Sequence, residues 1–417
     1  MTKRNIYIFL LLISIFWLIS FSGFKGAFRQ DGQQKNTGVN DSTKLDTFQI
    51  LANNYCKAKI LIQATKSEIL TLKNEIEQFK KKNIKDSLKR KEYEINRENL
   101  SGKTIKDSVV RSNDTLRQQF YSKRKVELAH YDRLIHQVDS IILSNLKEIK
   151  EVEEKLDCKV CELSKATQNF ESSLKQVSGY ALTLRGSASI ILQEVTYYIF
   201  IADLAEDEIR VHLFQKKKQN FFNLMAVCEH LERKNIDPLM ITNAGMFNPS
   251  REPVGLYIEN GKTLYNLDTS KGNPEENFYL SPNGVFFIDT NNVANIMTTT
   301  EFAKKRKQEK PRIKLATQSG PMLVINNTVH PKFTEGSLNK KIRSGVGKIS
   351  DKKVVFAVTT DESNFFDFAL FFKEIFECKD ALFLDGAISK MFLKDIHSSS
   401  NGGNFGPMIS VSKKAIK

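Results

Sequence analysis

Every proline in this chain lies at or beyond Pro238, and between Gly38 and Gly179 the only glycine is Gly102. Both residues interrupt helices: glycine through backbone entropy, proline through its missing N–H and a ring clash. A stretch of about 140 residues nearly free of both is a composition for long helices. The fourteen glycines beyond Gly179 and all nine prolines give the C-terminal part the turn density of a compact domain with a sheet. The 417 residues therefore divide into an apolar segment (1–24), a polar linker (25–44), a helical region (45–178) and a globular domain (190–417). Five cysteines exclude a disulfide-dense scaffold.

Lys3 and Arg4 precede residues 6–24, which carry no charge and include Trp17. Nineteen residues in a helix reach most of the way across a bilayer core of roughly 30 Å. The segment reads as a signal peptide or an uncleaved anchor. The lack of a clean small-x-small cleavage pattern favours the anchor, with the rest of the chain exported.

In the helical region Phe48, Leu51, Tyr55, Ala58, Ile62, Thr65, Ile69, Leu72, Ile76 and Phe79 alternate steps of three and four, the seam of a coiled coil. The pattern continues more weakly through Ile84, Leu88 and Ile95. A polar break follows near 99–114. A second seam runs through Leu128, Tyr131, Ile135, Val138, Ile142, Asn145, Ile149, Val152 and Leu156. An asparagine in such a seam sets register. Both an antiparallel hairpin and a parallel, self-associating stalk fit this pattern. Cys158 and Cys161 form a C-x-x-C without the strand–helix setting of a redox motif or the further ligands of a zinc site. The net charge of +15 arises partly on these Lys-rich helices, and no nucleic-acid-binding motif accompanies it.

The C-terminal domain predicts an α+β fold with a mixed sheet and flanking helices. Residues 195–204 and 209–214 read as a hairpin, 221–233 as a helix and 238–241 as a strand. Apolar β-rich runs repeatedly end at a small polar residue beside glycine: Asn243 before Gly245, Ser319 before Gly320, Asp385 before Gly386. Such strand ends can present backbone N–H groups and a side chain to a ligand. Ordinary turn chemistry accounts for any one of them taken alone. No Walker A loop, dinucleotide fingerprint, H-E-x-x-H or G-x-S-x-G is present.

The ordered set TNAGMF, PVGL, NFYLSPNGVFF, ATQSGPML, RSGVG and LDG, spread over residues 190–415, resembles the phosphodiester glycosidase family. The match is nearest to that family's bacterial, envelope-associated branch. Two positions depart from the usual pattern: Ala387 stands where a second glycine commonly follows the aspartate and glycine, and Ser344 where asparagine is common.

The resemblance implies hydrolysis of a sugar C1–O–phosphate bond in an envelope glycan or other sugar phosphodiester. An anionic diester calls for a guanidinium, and Arg343 is the candidate. An oxocarbenium-like sugar centre calls for a carboxylate, and Asp385 is the candidate. Asn243, Gly245, Asn283, Ser319, Gly320 and Gly386 would bind substrate. Asp361 and Glu362, after the strand at 354–360, are candidates for a second carboxylate. No cofactor is implied; acidic and amide side chains near the motifs leave a divalent cation open. The alternative expectation is a non-catalytic glycan-binding domain with the helical region as its oligomerising or spacing element.

Overall fold

The computed structural model describes residues 41–103, 112–214, 220–273, 275–385, 388–396 and 402–414. The apolar segment 6–24 and most of the linker lie outside the described residues, and no described helix is long and apolar enough to cross a membrane.

The helical region is an antiparallel hairpin of α1 (Asp41–Ser101) and α2 (Asp114–Ala181). Asn113 caps α2 by accepting the Leu116 N–H. Cross-helix pairs fix direction and register. Glu68 meets Lys159, Asp86 accepts from Asn145 Nδ2 at 3.1 Å, and Arg90 and Arg97 bond Asp139 and Asp132. Both seams face inward, and Asn145 is buried among them. Ile84, Leu88 and Ile95 do not continue the seam, because α1 turns Asp86, Arg90 and Arg97 toward α2 over that stretch. Cys158 and Cys161 are exposed free thiols.

The hairpin is not an isolated spacer. Phe48, Ala52, Tyr55, Val177 and Ala181, at its open end, share a core with the sheet beyond it. The Tyr55 hydroxyl bonds the Glu374 carboxylate, and Ser178 Oγ bonds Glu377 Oε1 at 2.8 Å. Residues 42–417 form one compact unit.

Three sheets follow. The largest has the order β1-β2-β13-β12-β14-β10-β11: β1 (Gly186–Leu192), β2 (Val195–Asp203), β13 (Lys353–Thr359), β12 (Ser344–Lys348), β14 (Asp380–Phe383), β10 (Met322–Ile325) and β11 (Thr328–Val329). The second is β15 (Met391–Leu393), β4 (Pro238–Asn243), β16 (Met408–Lys413) and β3 (Asp207–His212). The third is β6 (Lys262–Tyr265), β5 (Tyr257–Glu259), β9 (Ile313–Ser319), β7 (Gly284–Asp289) and β8 (Ala294–Thr298). Helix α3 (Leu224–Glu232) packs on β4, and α4 (Thr299–Glu309) follows β8 with a capping box at Thr298 and Glu301.

The large sheet is covered on both faces. Along β13, Val354, Phe356 and Val358 pack toward the other two sheets, while Val355 and Ala357 pack toward the hairpin and helix α5 (Phe365–Leu370). This two-sided burial is why the strand reads as an unbroken apolar run. The glycines of the RSGVG motif serve this packing: a Cβ on Gly347 would lie 2.6 Å from the Phe372 ring.

The expected hairpin at 195–214 is absent. β2 pairs with β1 and β13, and β3 crosses to pair with β16. The turn at 204–206 joins two sheets instead of two neighbours in one. Asp203 N–H donates to Asp207 Oδ2 across it at 2.9 Å.

Candidate active site

Asn243 ends β4, Ser319 ends β9, and Asp385 follows β14, so each comes from a different sheet. The three meet around Ser344, the first residue of β12. Asn243 Nδ2 donates to Ser344 Oγ at 2.7 Å. Ser344 Oγ donates to the Asp385 carbonyl at 2.8 Å and accepts the Asp385 N–H at 3.2 Å. Ser319 Oγ donates to the neighbouring Leu384 carbonyl, and Ser389 Oγ to the Asp385 carbonyl. All five residues are buried or half-buried. A serine hydroxyl has one donor and two acceptor positions, and these bonds fill all three on Ser344.

The register places Arg343 across from Asp385. Gly345 pairs with Phe383, and the Leu384 N–H donates to the Ser344 carbonyl at 3.0 Å, which carries the ladder one step further. Arg343 is only 1% exposed. Its Nε donates to the Ser363 carbonyl at 2.7 Å and its Nη2 to the Asn339 carbonyl at 2.9 Å. The guanidinium lies 3.6 Å over the Phe365 ring, within a stack continued by Phe333 and His330. No carboxylate among the described residues pairs with it, and burial lowers its pKa to about 10. A guanidinium has five N–H donors, and two of those on Arg343 have acceptors among the described residues. Arg343 is thus a desolvated cation with backbone partners.

Gly245 and Gly320 are close-approach positions. A Cβ on Gly245 would lie 2.2 Å from the Gln318 carbonyl oxygen, and one on Gly320 would lie 2.6 Å from the Phe278 carbonyl oxygen. The Gly245 N–H is taken by Thr317 Oγ1 at 3.1 Å, so it is not offered to a ligand. Asn283 stands half-buried beside Gly320, and its side-chain amide makes no hydrogen bond among the described residues. Gly386 lies outside the described residues.

Asp361 and Glu362 are not brought to Asp385. Asp361 Oδ2 accepts the Thr196 N–H at 2.9 Å at the start of β2, which lowers its pKa. From β2 to β14 is three strand steps, roughly 14 Å at about 4.8 Å each, beyond the roughly 5–9.5 Å of a glycosidase carboxylate pair. Glu362 is exposed beside it. Among the described residues no group of three or more His, Cys, Asp or Glu is arranged to hold a metal ion.

Sequence reasoning missed Ser344, Ser389 and Gln318. Gln318 is buried and uses all its amide capacity: it accepts the Leu256 and Asp268 N–H groups and donates to the Asp268 carbonyl and Thr299. The available signal was a polar residue inside an apolar strand, at Ser344 in RSGVG and Gln318 in ATQSGPML.

A buried polar cluster thus gathers the ends of strands from three sheets in an α+β domain, and the adjoining Arg343 is buried among aromatic rings and backbone carbonyls. Residues 238–410 match the family model described as phosphodiester glycosidase. Across 175 residues the chain is 36% identical to the uncharacterized protein YigE of Escherichia coli K12, covering 42% of this chain and 66% of that protein, just under two thirds of its length. The chain is also similar to the catalytic domain of zebrafish N-acetylglucosamine-1-phosphodiester alpha-N-acetylglucosaminidase, auto-inhibited by its pro-peptide. That likeness has a TM-score of 0.40 at 15% identity, over 55% of this chain and 82% of the other.

Proposed function

We propose that this protein hydrolyses a sugar-1-phosphodiester, breaking the C1–O bond to phosphate, and that residues 6–24 hold it at the cell envelope with the C-terminal domain outside. The observation that carries the reading is Arg343. A guanidinium withdrawn from water with no acidic partner among the described residues leaves a site that favours an anion, and a phosphodiester supplies one. Asp385, across the ladder from it, is the carboxylate that stabilises the oxocarbenium-like centre or activates water.

A single carboxylate suits this leaving group. A sugar alcohol must be protonated as it departs, whereas a phosphate monoester leaves as a stable anion. The remoteness of Asp361 and Glu362 therefore does not count against hydrolysis. Asn243, Ser344 and Ser319 act through the backbone at 384–385, which they hold from three other strands, one in each sheet. Asn283, with an uncommitted amide, orients the sugar or phosphate.

The test is release of free sugar from N-acetylglucosamine-1-phosphodiesters and envelope-polymer phosphodiesters by the full chain. Turnover that falls at least a hundredfold in Asp385→Asn and in Arg343→Ala is expected. Glycan binding without turnover, unchanged in Asp385→Asn, would replace this reading with a binding domain.

A further inference from the structure

Helix α5 meets Arg343 at one end and the helical hairpin at the other. Its N-terminal flank supplies the Ser363 carbonyl that accepts Arg343 Nε and the Phe365 ring 3.6 Å from the guanidinium. Asn364 caps the helix by accepting the Asp367 N–H at 2.9 Å, which fixes that flank to the first turn. Beyond Leu370 the helix runs on as a wider π-helical turn, Phe371–Ile375. There Glu374 accepts the Tyr55 hydroxyl of α1, and just past the turn Glu377 accepts Ser178 Oγ of α2. Phe48 of α1 meets Phe376 edge-on, with ring centroids 6.5 Å apart. A second path runs through the loop 330–342. Its Asn339 carbonyl accepts Arg343 Nη2, its Phe333 stacks on Phe365 at 4.8 Å, and its Glu335 accepts Gln63 Nε2 of α1 at 2.9 Å. Both carbonyls that hold the guanidinium, and the ring beneath it, therefore sit on segments that α1 grips.

We propose that Tyr55 and Glu374 are positioning residues: the root of the hairpin sets where Arg343 stands, acting through α5. This rests on the reading of Arg343 as the group that meets the substrate's anion. Phe365 and Glu374 lie about 14 Å apart along the helix at about 1.5 Å per residue, a span short enough to move as one body. A shift of about 1 Å at a group that holds substrate can lower turnover about a hundredfold. Tyr55 is buried and Glu374 half-buried, so their bond is largely shielded from water. A hydrogen bond to a carboxylate in that setting fixes one geometry. Tyr197 of β2 also stacks on Phe371, with centroids 4.1 Å apart, but stacked rings can slide along one another. The directional hold on the C-terminal end of α5 therefore comes from the hairpin.

Kinetics and urea unfolding of the full chain test the proposal. With an N-acetylglucosamine-1-phosphodiester as substrate, Tyr55→Phe and Glu374→Ala should each raise KM at least threefold while kcat stays within twofold. Glu374→Gln, which still accepts the Tyr55 hydroxyl, should bring KM back to within twofold of the parent. In an Arg343→Lys background Tyr55→Phe should add nothing to KM, since the arrangement it supports is already lost. For the same reason the urea midpoint of Tyr55→Phe with Arg343→Lys should fall by less than the sum of the two single falls. An unchanged KM in Tyr55→Phe and Glu374→Ala overturns the proposal and leaves the hairpin root as a stabilising element. Additive midpoints overturn it as well. Should the parent release no sugar, the hydrolase reading fails separately, and the midpoints alone decide whether the hairpin root holds Arg343.

Discussion

Ser344 Oγ grips both ends of one amino acid: it donates to the Asp385 carbonyl at 2.8 Å and accepts the Asp385 N–H at 3.2 Å. Asn243 Nδ2 fills its last acceptor position at 2.7 Å. The backbone of the proposed catalytic residue is thus held by a hydroxyl one strand away.

Ser344→Ala would leave the Asn243 amide and the Asp385 N–H without that acceptor. A buried group left unpaired costs about 1–3 kcal/mol, so thermal or urea unfolding should show a loss in that range. Turnover should fall more than substrate affinity, because the substitution loosens Asp385 without touching the anion site. A KM that rises while kcat holds would contradict this.

Arg343→Lys should not restore what Arg343→Ala loses. Lysine keeps the charge but not the planar fork that donates to the Ser363 and Asn339 carbonyls while lying flat on Phe365. We expect substrate affinity to fall at least tenfold in the lysine variant, measured as KM, with stability lower by about 1–3 kcal/mol from the lost charged hydrogen bonds.

Gly347→Ala should destabilise the domain without altering the site directly. The new methyl would lie 2.6 Å from the Phe372 ring and 2.7 Å from Cys378 Sγ, both buried. Overpacking of this kind costs about 1–3 kcal/mol. Denaturant unfolding should show it, and Gly347→Ala combined with Phe372→Leu should recover part of the loss.

Some of this architecture was legible in the sequence, for physical reasons that can be named. The scarcity of glycine and proline marked α1 and α2, and the break near 99–114 marked their turn. The strand ends at Asn243 and Ser319 were visible because a glycine follows where backbone must approach backbone. Their convergence was not visible, since strands far apart in sequence carry no record of which sheet they join. The expected hairpin at 195–214 failed for the same reason: local turn chemistry does not say whether the next strand pairs with the last one. The seam beyond Phe79 misled because Ile84, Leu88 and Ile95 keep a heptad-like spacing while pointing outward. The burial of Arg343 was not legible, because it depends on a loop and a helix that pack on it from elsewhere in the chain.

The acid side of the stability profile should be set in part by His212. Its ring is buried between β3 and β16, with Nε2 2.7 Å from Ser410 Oγ, and burial holds its pKa down at about 3. An unfolded histidine titrates near 6.5, so the unfolded state binds the extra proton first. The sign follows: stability is complete above about pH 6.5 and is lost as pH falls toward about 3. At about 1.36 kcal/mol per pH unit, the loss from this residue reaches about 2 kcal/mol by pH 5. Urea midpoints measured between pH 7 and pH 5 should show that slope, and His212→Gln should flatten it. Equal slopes in the two proteins would mean that another buried group, such as His330, whose pKa burial also lowers, governs the acid limb.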